Sequence, residues 1–325
     1  LNRDYYIFSS GRLKRSENTI SFENSKGETK SLPVENIETI HLFGEIDFNT
    51  KLLTLLSEYG ITLNTYNYYG YYTGSFCPRK SNISGYLLVQ QVKNYIDPEK
   101  RLYIAYSFIV SAVFHMKRNL RNYGLTEQLK KIEQEESLLD NVKDIENLMG
   151  IEGNIREIYY SAFNSILSNN FQMIKREKHP PTDPVNALIS FGNSLMYTTI
   201  LSEIYKTQID PTLSFLHEPS AKRFSLSLDI AEIFKPLIID PIIFKVVNEK
   251  MITLNDFETD KDICFLNKEG KMRFINEYDK KLSTTVRHRK LGRNVSYRHL
   301  IRLECYKLIK HFLGDDIYKP LKAWW

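Results

Sequence analysis

Three segments of the chain hold side chains with chemical capacity. The first is Gly150-Ile151-Glu152-Gly153-Asn154-Ile155-Arg156-Glu157-Ile158-Tyr159-Tyr160. Its spacing predicts a helix with Glu152 near the start and Arg156 one turn later on the same face. An exposed pair of that kind is an ordinary ion pair worth ~0.3–0.5 kcal/mol. The flanking glycines, Gly150 and Gly153, are less ordinary, because they weaken a helix and let a ligand or another backbone approach.

The second segment is Phe215-Leu216-His217-Glu218-Pro219, followed by a predicted helix running through Phe234. On that helix Ser225, Asp229 and Glu232 recur at i, i+4, i+7, with Leu226, Ile230 and Ile233 on another face. Two carboxylates a turn apart repel unless a cation or a proton relieves them. Two readings stand: a solvated acidic face with a structural histidine, or a metal site. Carboxylates plus one imidazole, without thiolate, suit Mg2+ or Mn2+, and the histidine tilts the choice toward Mn2+. No HExxH spacing favours zinc. Mg2+ and Mn2+ commonly serve phosphate chemistry, where they neutralise developing charge.

The third segment is cationic. Arg287, Arg289, Lys290, Arg293, Arg298 and Arg302, with His288 and His299, fall in a stretch that contains no acid. Such a run is either a solvated face or a phosphate track, since arginine forks onto phosphate oxygens. Tyr159, Tyr160 and Tyr197 are either core residues or platforms for stacked bases.

The elements that must position these residues follow from periodicity. Tyr5–Phe8, Thr19–Phe22, Ile37–Leu42, Ile61–Tyr66 and Tyr71–Phe76 read as strands, and Asn24–Gly27 as a turn. Between them Leu52, Leu53, Leu55 and Leu56 form a helical stripe ended by Gly60. From Asp97-Pro98 onward the pattern is helical, with Asp as N-cap and Pro at the first position. That helix is expected to stop at Gly124, and a charged amphipathic helix to continue through Leu148. Asp183-Pro184 repeats the start signal for an apolar helix reaching about Thr207. The expected fold is α+β: a β-rich domain over 1–76, a linker over 77–84, and an all-α catalytic domain over 85–325.

Composition narrows the class. With 325 residues, two domains are the natural expectation. A net charge of +5 permits a nucleic-acid partner held in local grooves without demanding one. The three cysteines, Cys77, Cys264 and Cys305, are widely spaced and lack a CxxC pattern, which argues against a disulfide framework and a structural zinc site. The first residues lack the apolar core of a signal peptide, and the longest apolar stretch is too short to span a bilayer. A cytoplasmic protein is expected. Trp324 and Trp325 are expected to pack or dock, because two wet tryptophans are costly.

Taken together and in order, the segments resemble a known family. Glu152-Gly153 with Arg156 and the Tyr pair, Asp183-Pro184-Val185-Asn186-Ala187-Leu188, Phe215-Leu216-His217, and Leu228-Asp229-Ile230-Ala231-Glu232 are similar to the motifs of the CRISPR-associated integrase, the Cas-one family. Leu32–Ile37 resembles its N-terminal β domain, and Tyr318–Trp325 the tail of one branch. Some relatives carry Asp where this chain has Glu232.

The resemblance implies that Glu152, His217 and Glu232 bind Mn2+ or Mg2+, with Asp229 beside them. Arg156, Lys222, Arg223, Arg287, Arg289, Arg293, Arg298 and Arg302 are then the candidates for DNA contact. It implies an integrase that joins a fragment's 3′-hydroxyl to a phosphodiester of the repeat array, with DNA cleavage when water attacks. It also implies a homodimer paired with a smaller second adaptation subunit of the Cas-two family. Two alternatives remain open: a metal-dependent nuclease for branched DNA in repair, and a non-catalytic DNA-binding assembly subunit.

Overall fold

The protein is described from a computed structural model that covers residues 3–79, 83–168, 170–177, 180–219 and 224–325. The chain divides into two compact units, Leu1–Ser81 and Asn82–Trp325. Residues 80–82 of the expected linker, together with Lys222 and Arg223, lie outside the described residues.

Among the described residues, the first unit holds two four-stranded sheets and one α-helix. Strands β1 (Arg3–Ile7), β5 (Ile37–Leu42), β7 (Thr62–Tyr66) and β8 (Tyr72–Phe76) form one sheet, parallel except for the last pair. Strands β4 (Thr29–Leu32), β3 (Thr19–Asn24), β2 (Gly11–Ser16) and β6 (Ile46–Phe48) form the other. Helix α1 (Thr50–Tyr59) supplies the crossover that a parallel β5–β7 pair requires. Asn49 caps its first turn through Leu52 N, and Gly60 ends it in the left-handed region at φ 67°. Leu52, Leu55 and Leu56 are fully buried against Leu13, Ile20, Ile40 and Leu63.

The second unit is helical. Its elements are α2 (Gly85–Ile96), α3 (Pro98–Asn122), α4 (Thr126–Ser137), α5 (Ile145–Ser161), the single turn α6 (Phe163–Ile166) and α7 (Pro184–Tyr205). They continue with α8 (Ser225–Phe234), α9 (Asp240–Asn248), α10 (Lys268–Ser283) and α11 (Tyr297–Leu313). Both Asp-Pro signals behave as expected. Asp97 accepts from Glu99 N and Lys100 N, and Asp183 from Asn186 N. Helix α7 is apolar on nearly every side and is therefore central, and α8 packs on it and on α3. Among the described residues no helix is long and apolar enough to cross a membrane.

Three departures from the expected elements matter for the site. The charged helix does not reach Leu148: α4 ends at Ser137, a tight turn follows, and Asp144 caps a new helix by accepting from Asn147 N at 2.8 Å. Glu152 therefore sits mid-helix in α5 rather than near a helix start. The helical unit also carries two small ribbons, β9 (Phe257–Asp260) with β10 (Ile263–Leu266), and β11 (Thr285–Arg287) with β12 (Asn294–Ser296). Finally, α8 runs into α9 through a π-helical turn at Lys235–Ile239. Pro236 has no N–H for the carbonyl of Glu232, four residues back, so the regular ladder is interrupted there. The carbonyl of Pro236 itself is satisfied by Asn119 Nδ2 at 2.8 Å.

The tail after α11 packs at home. Gly314 closes the helix at φ 81°, Tyr318 Oη donates to Glu304 at 2.6 Å, and Ala323 N donates to His115 Nε2 at 3.1 Å. Trp325 Nε1 donates to Tyr297 Oη at 2.7 Å.

The contact of α7 with the π turn has no slack. A Cβ added at Gly192 would lie 2.6 Å from Ile239 Cγ2 and 3.1 Å from Phe274 Cζ. Gly192→Ala should therefore lower stability by about 1–2 kcal/mol in urea unfolding, although alanine is the better helix former by about 1 kcal/mol. A stabilised variant would show that α7 can slide away from the turn.

Candidate active site

The site is built where α5 meets α8. Tyr159, Ile155, Ile151 and Leu148 bury one face of α5, which leaves Glu152 and Arg156 on its flank. Arg156 Nε donates to Glu152 Oε1, and Arg156 Nη2 donates to Glu232 Oε2. Lys235 Nζ closes on the other oxygen of Glu232 at 2.7 Å. The side chains of Glu152, Arg156 and Glu232 are only 19%, 15% and 6% exposed. The pair is therefore no simple surface i,i+4 contact. Two carboxylates from two helices meet on one cation, in surroundings where charge is weakly screened.

Two exposed glycines flank Glu152 in sequence, Gly153 next to it and Gly150 on the opposite side of the helix. A Cβ placed on Gly150 or Gly153 would meet no atom within 4 Å. Tyr160 Oη lies 3.5 Å from Arg156 Nη1, at the edge of the same flank.

The histidine is held by a second carboxylate. Asp229 is fully buried; its Oδ2 accepts from Phe215 N and Leu216 N at 2.6 and 3.0 Å. Its Oδ1 accepts from His217 N at 3.0 Å and from the ring Nδ1 at 2.8 Å. The role of Asp229 is thus to fold the loop and aim the ring. With Nδ1–H committed to a carboxylate, Nε2 keeps its lone pair for another partner. Ser214 Oγ donates to the carbonyl of His217 at 2.6 Å, and Arg101 Nε to that of Phe215 at 2.9 Å. Sequence reasoning missed Arg101 and Ser214, which carry no local signal, and Lys235, whose i,i+3 spacing from Glu232 was readable.

The sequence-predicted ligands therefore fall into two pairs. Glu152 and Glu232 share Arg156, while His217 and Asp229 share a hydrogen bond, and Asp229 and Glu232 stand one turn apart on α8. Among the described residues, no three His, Cys, Asp or Glu side chains are grouped closely enough to hold a metal ion. The donor chemistry nevertheless fits a hard divalent cation, because the two acids already share one cationic partner. The reading of α8 as a solvated acidic face is overturned: Asp229 and Glu232 are both buried.

The cationic run is corrected in part. The stretch from Arg287 to Arg302 holds no acid, but Glu203 of α7 reaches Arg298 and Arg302. Glu203 is fully buried; Arg302 Nε donates to it at 2.7 Å and Arg298 Nη1 lies 3.7 Å away. These two arginines serve first to compensate an interior charge. Arg287, Arg289 and Arg293 are exposed on the β11–β12 ribbon, where Arg289 lies over the Trp324 ring at 5.6 Å. Tyr159 is core, with its hydroxyl between Asn119 Nδ2 at 2.8 Å and Asp240 Oδ2 at 3.0 Å. The Tyr197 hydroxyl accepts from Phe224 N at 3.2 Å, just before α8.

A β-rich unit followed by a helical unit with this site is the architecture of a known class of α+β proteins. The sequence model of the family described as CRISPR associated protein Cas1 matches residues 5–280. A CRISPR-associated endonuclease Cas1 of Thermodesulfovibrio yellowstonii is 58% identical over 99% of this chain and all of its own length. The solved structure of a CAS1 protein from Thermotoga maritima superposes with a TM-score of 0.87 at 41% identity, covering 98% of this chain and 100% of the other. A casposase bound to integration product shares the fold, with a TM-score of 0.87 at 18% identity over 99% of this chain and 94% of its own. The chain belongs to the Cas1 family, and as a member it is an endonuclease of CRISPR systems.

Behind the paired carboxylates lies one buried acid that is not part of them. Burial pushes the Asp240 carboxyl up to about 7, against the opposing pull of the Tyr159 hydroxyl and of Arg156. An acid raised in the folded state favours folding at low pH and loses that contribution as pH climbs. Stability from this group should fall between about pH 4, its unfolded value, and about pH 7, by on the order of 4 kcal/mol. Asp240→Asn keeps an acceptor for Tyr159 and should flatten that slope when unfolding free energies are compared at pH 5 and pH 8. An unchanged slope would assign it to other groups.

Proposed function

We propose that this chain is a divalent-metal-dependent DNA integrase and endonuclease of CRISPR adaptation. The observation that carries the reading is the convergence of Glu152 and Glu232, from different helices, on one cation position. Glu152, Glu232 and the Nε2 of His217 would hold Mn2+ or Mg2+. Bound there, the ion supplies Lewis acidity toward a phosphoryl oxygen. Asp229 keeps the ring aimed with its lone pair free, and the loop bonds from Arg101 and Ser214 keep that aim fixed. Arg156, once relieved of the acids, has the forked geometry to grip phosphate oxygens. The exposed Gly153, next to Glu152 in α5, leaves that side of the helix uncovered for the DNA backbone.

The reaction is phosphodiester exchange. The 3′-hydroxyl of a short DNA fragment forms a new P–O bond in the repeat array, while the array strand's own 3′ oxygen departs and takes up the proton. With water in place of the hydroxyl, the same site cleaves DNA. The casposase relative bound to integration product supports the joining reading, and the name of the Thermodesulfovibrio yellowstonii relative supports cleavage. The proposed partners are DNA, a second copy of the chain and the smaller second adaptation subunit.

A branched DNA with a flap and a free 3′-hydroxyl, incubated with Mn2+, Mg2+ or EDTA, tests the assignment. Either ion should support joining with release of the flap, and EDTA should abolish it. Glu152→Ala and His217→Ala should lose joining by ~100-fold or more while DNA affinity stays within a few-fold. Thermal unfolding gives a readout free of activity: Mn2+ should raise the melting temperature of the parent and not of Glu152→Ala. Cleavage without joining would point to a nuclease that uses water, and no reaction with either ion to an assembly subunit.

A further inference from the structure

A second surface of the helical unit is built to hold something, and the proposed chemistry does not use it. Where the tail returns along α11, beside the β11–β12 ribbon, it leaves a groove of about 540 Å³. Its floor is apolar: Leu291, Leu300, Leu303, Tyr306, Ile317 and Pro320. Three of these are large side chains left to water, with Leu291 44%, Tyr306 43% and Ile317 64% exposed. Scattered apolar residues on a surface need no explanation, but several lining one concavity mark a binding site.

The walls are pinned. On the tail side, Leu321 N donates to Glu304 Oε1 at 3.1 Å, and the carbonyl of Tyr318 accepts from Tyr103 Oη at 2.8 Å. Lys307 Nζ ties the helix to the carbonyl of Lys319 at 2.8 Å. The groove is therefore already formed, so little ordering cost falls on a ligand that enters it.

Its rim is mostly cationic. Arg289, Lys290, Lys310, Lys319 and Lys322 stand around the floor together with Lys307, against the acids Glu304 and Asp316 alone. Glu304 is buried and already bonded to Tyr318, Leu321 and Lys307. Among the described residues, Lys290, Lys310 and Lys319 make no side-chain hydrogen bond or ion pair. His288 adds nothing, because burial and neighbouring lysines hold it below its ordinary value.

A positive rim around an apolar floor selects between partners. Nucleic acid would satisfy the rim and could stack a base on Tyr306, but it would leave the aliphatic side chains of the floor wet. The one indole at the groove, Trp324, has Arg289 over its ring and His288 and Trp325 against it edge-on. An amphipathic protein segment meets both demands, with apolar anchors on the floor and carboxylates at the rim. We propose that this groove docks an acidic, amphipathic segment of a partner protein.

Fluorescence anisotropy on the full chain tests it with a labelled 16-residue helical peptide bearing Leu or Phe at i, i+3, i+7 and Glu elsewhere. Saturable binding is expected, weakened at least tenfold by Ile317→Glu, an exposed site whose change leaves the core intact. Lys310→Glu should weaken the acidic peptide and strengthen the same peptide carrying Lys in place of Glu. A peptide with Ser at the anchor positions should not compete, and cleavage of DNA should be unchanged in Ile317→Glu. The proposal is overturned by absence of saturable binding, by equal affinity of the Glu and Lys peptides, or by indifference to Ile317→Glu. It is equally overturned if the two variants lower duplex DNA affinity instead, which would make the groove a nucleic-acid surface.

Discussion

Two carboxylates, one from α5 and one from α8, are nearly closed off from water and face the same guanidinium. Either acid alone would be a charge drawn out of water without a partner, which desolvation penalises. Arg156 relieves both at once, and Lys235 relieves the remaining oxygen of Glu232. The geometry ties the two helices together through Arg156. It also means that the site always demands a cation. Arg156 and Lys235 meet that demand in this structure; under the proposed function a divalent ion would take over that contribution.

Much of the second unit serves to hold α8 still. Its neighbour α7 is buried on almost every side and gives α8 an apolar bed, with Gly192 allowing the closest approach at the π turn. The π turn interrupts α8 just after Glu232, and Asn119 of α3 takes up the carbonyl of Pro236. Asp229, one turn before Glu232, gathers three backbone N–H groups and the imidazole of His217 onto one carboxylate. A single helix thus carries one acid directed at the paired site and another that constructs the histidine loop. Their roles differ because their surroundings differ: Asp229 faces backbone donors, and Glu232 faces side-chain cations.

What could be read from the sequence was mostly local. The Asp97-Pro98 and Asp183-Pro184 starts, the Gly60 and Gly124 stops and the strand alternation of the first unit depend on neighbouring residues, and they stand in the structure. The motif residues around Glu152, His217 and Glu232 were legible as a set. Their wiring was not. Arg156 finds Glu232 across 76 positions, and Arg302 finds Glu203 across 99. The cationic run between Arg287 and Arg302 appears uncompensated only while the chain is read as a line. The break between α4 and α5 escaped notice because amphipathic spacing continues through it, whereas the cap formed by Asp144 is a geometric event. The two short ribbons of the helical unit are too brief to show alternation.

The glycines around Glu152 carry the argument one step further. Gly in a helix interior costs roughly 1 kcal/mol relative to alanine, so two in one helix are a real loss. At Gly192 the loss has a packing reason, since a methyl group would strike Ile239 and Phe274. At Gly150 and Gly153 the protein supplies no such reason, since nothing of its own stands within 4 Å of an added methyl. Stability has been given up there for space that the fold does not fill. Of the two, Gly153 follows the carboxylate that shares Arg156 with Glu232 and leaves that side of α5 uncovered, whereas Gly150, two positions earlier, lies on the opposite side of the helix. Under the proposed function, a phosphodiester backbone, thin, anionic and rich in acceptor oxygens, is what the side of Gly153 would accommodate.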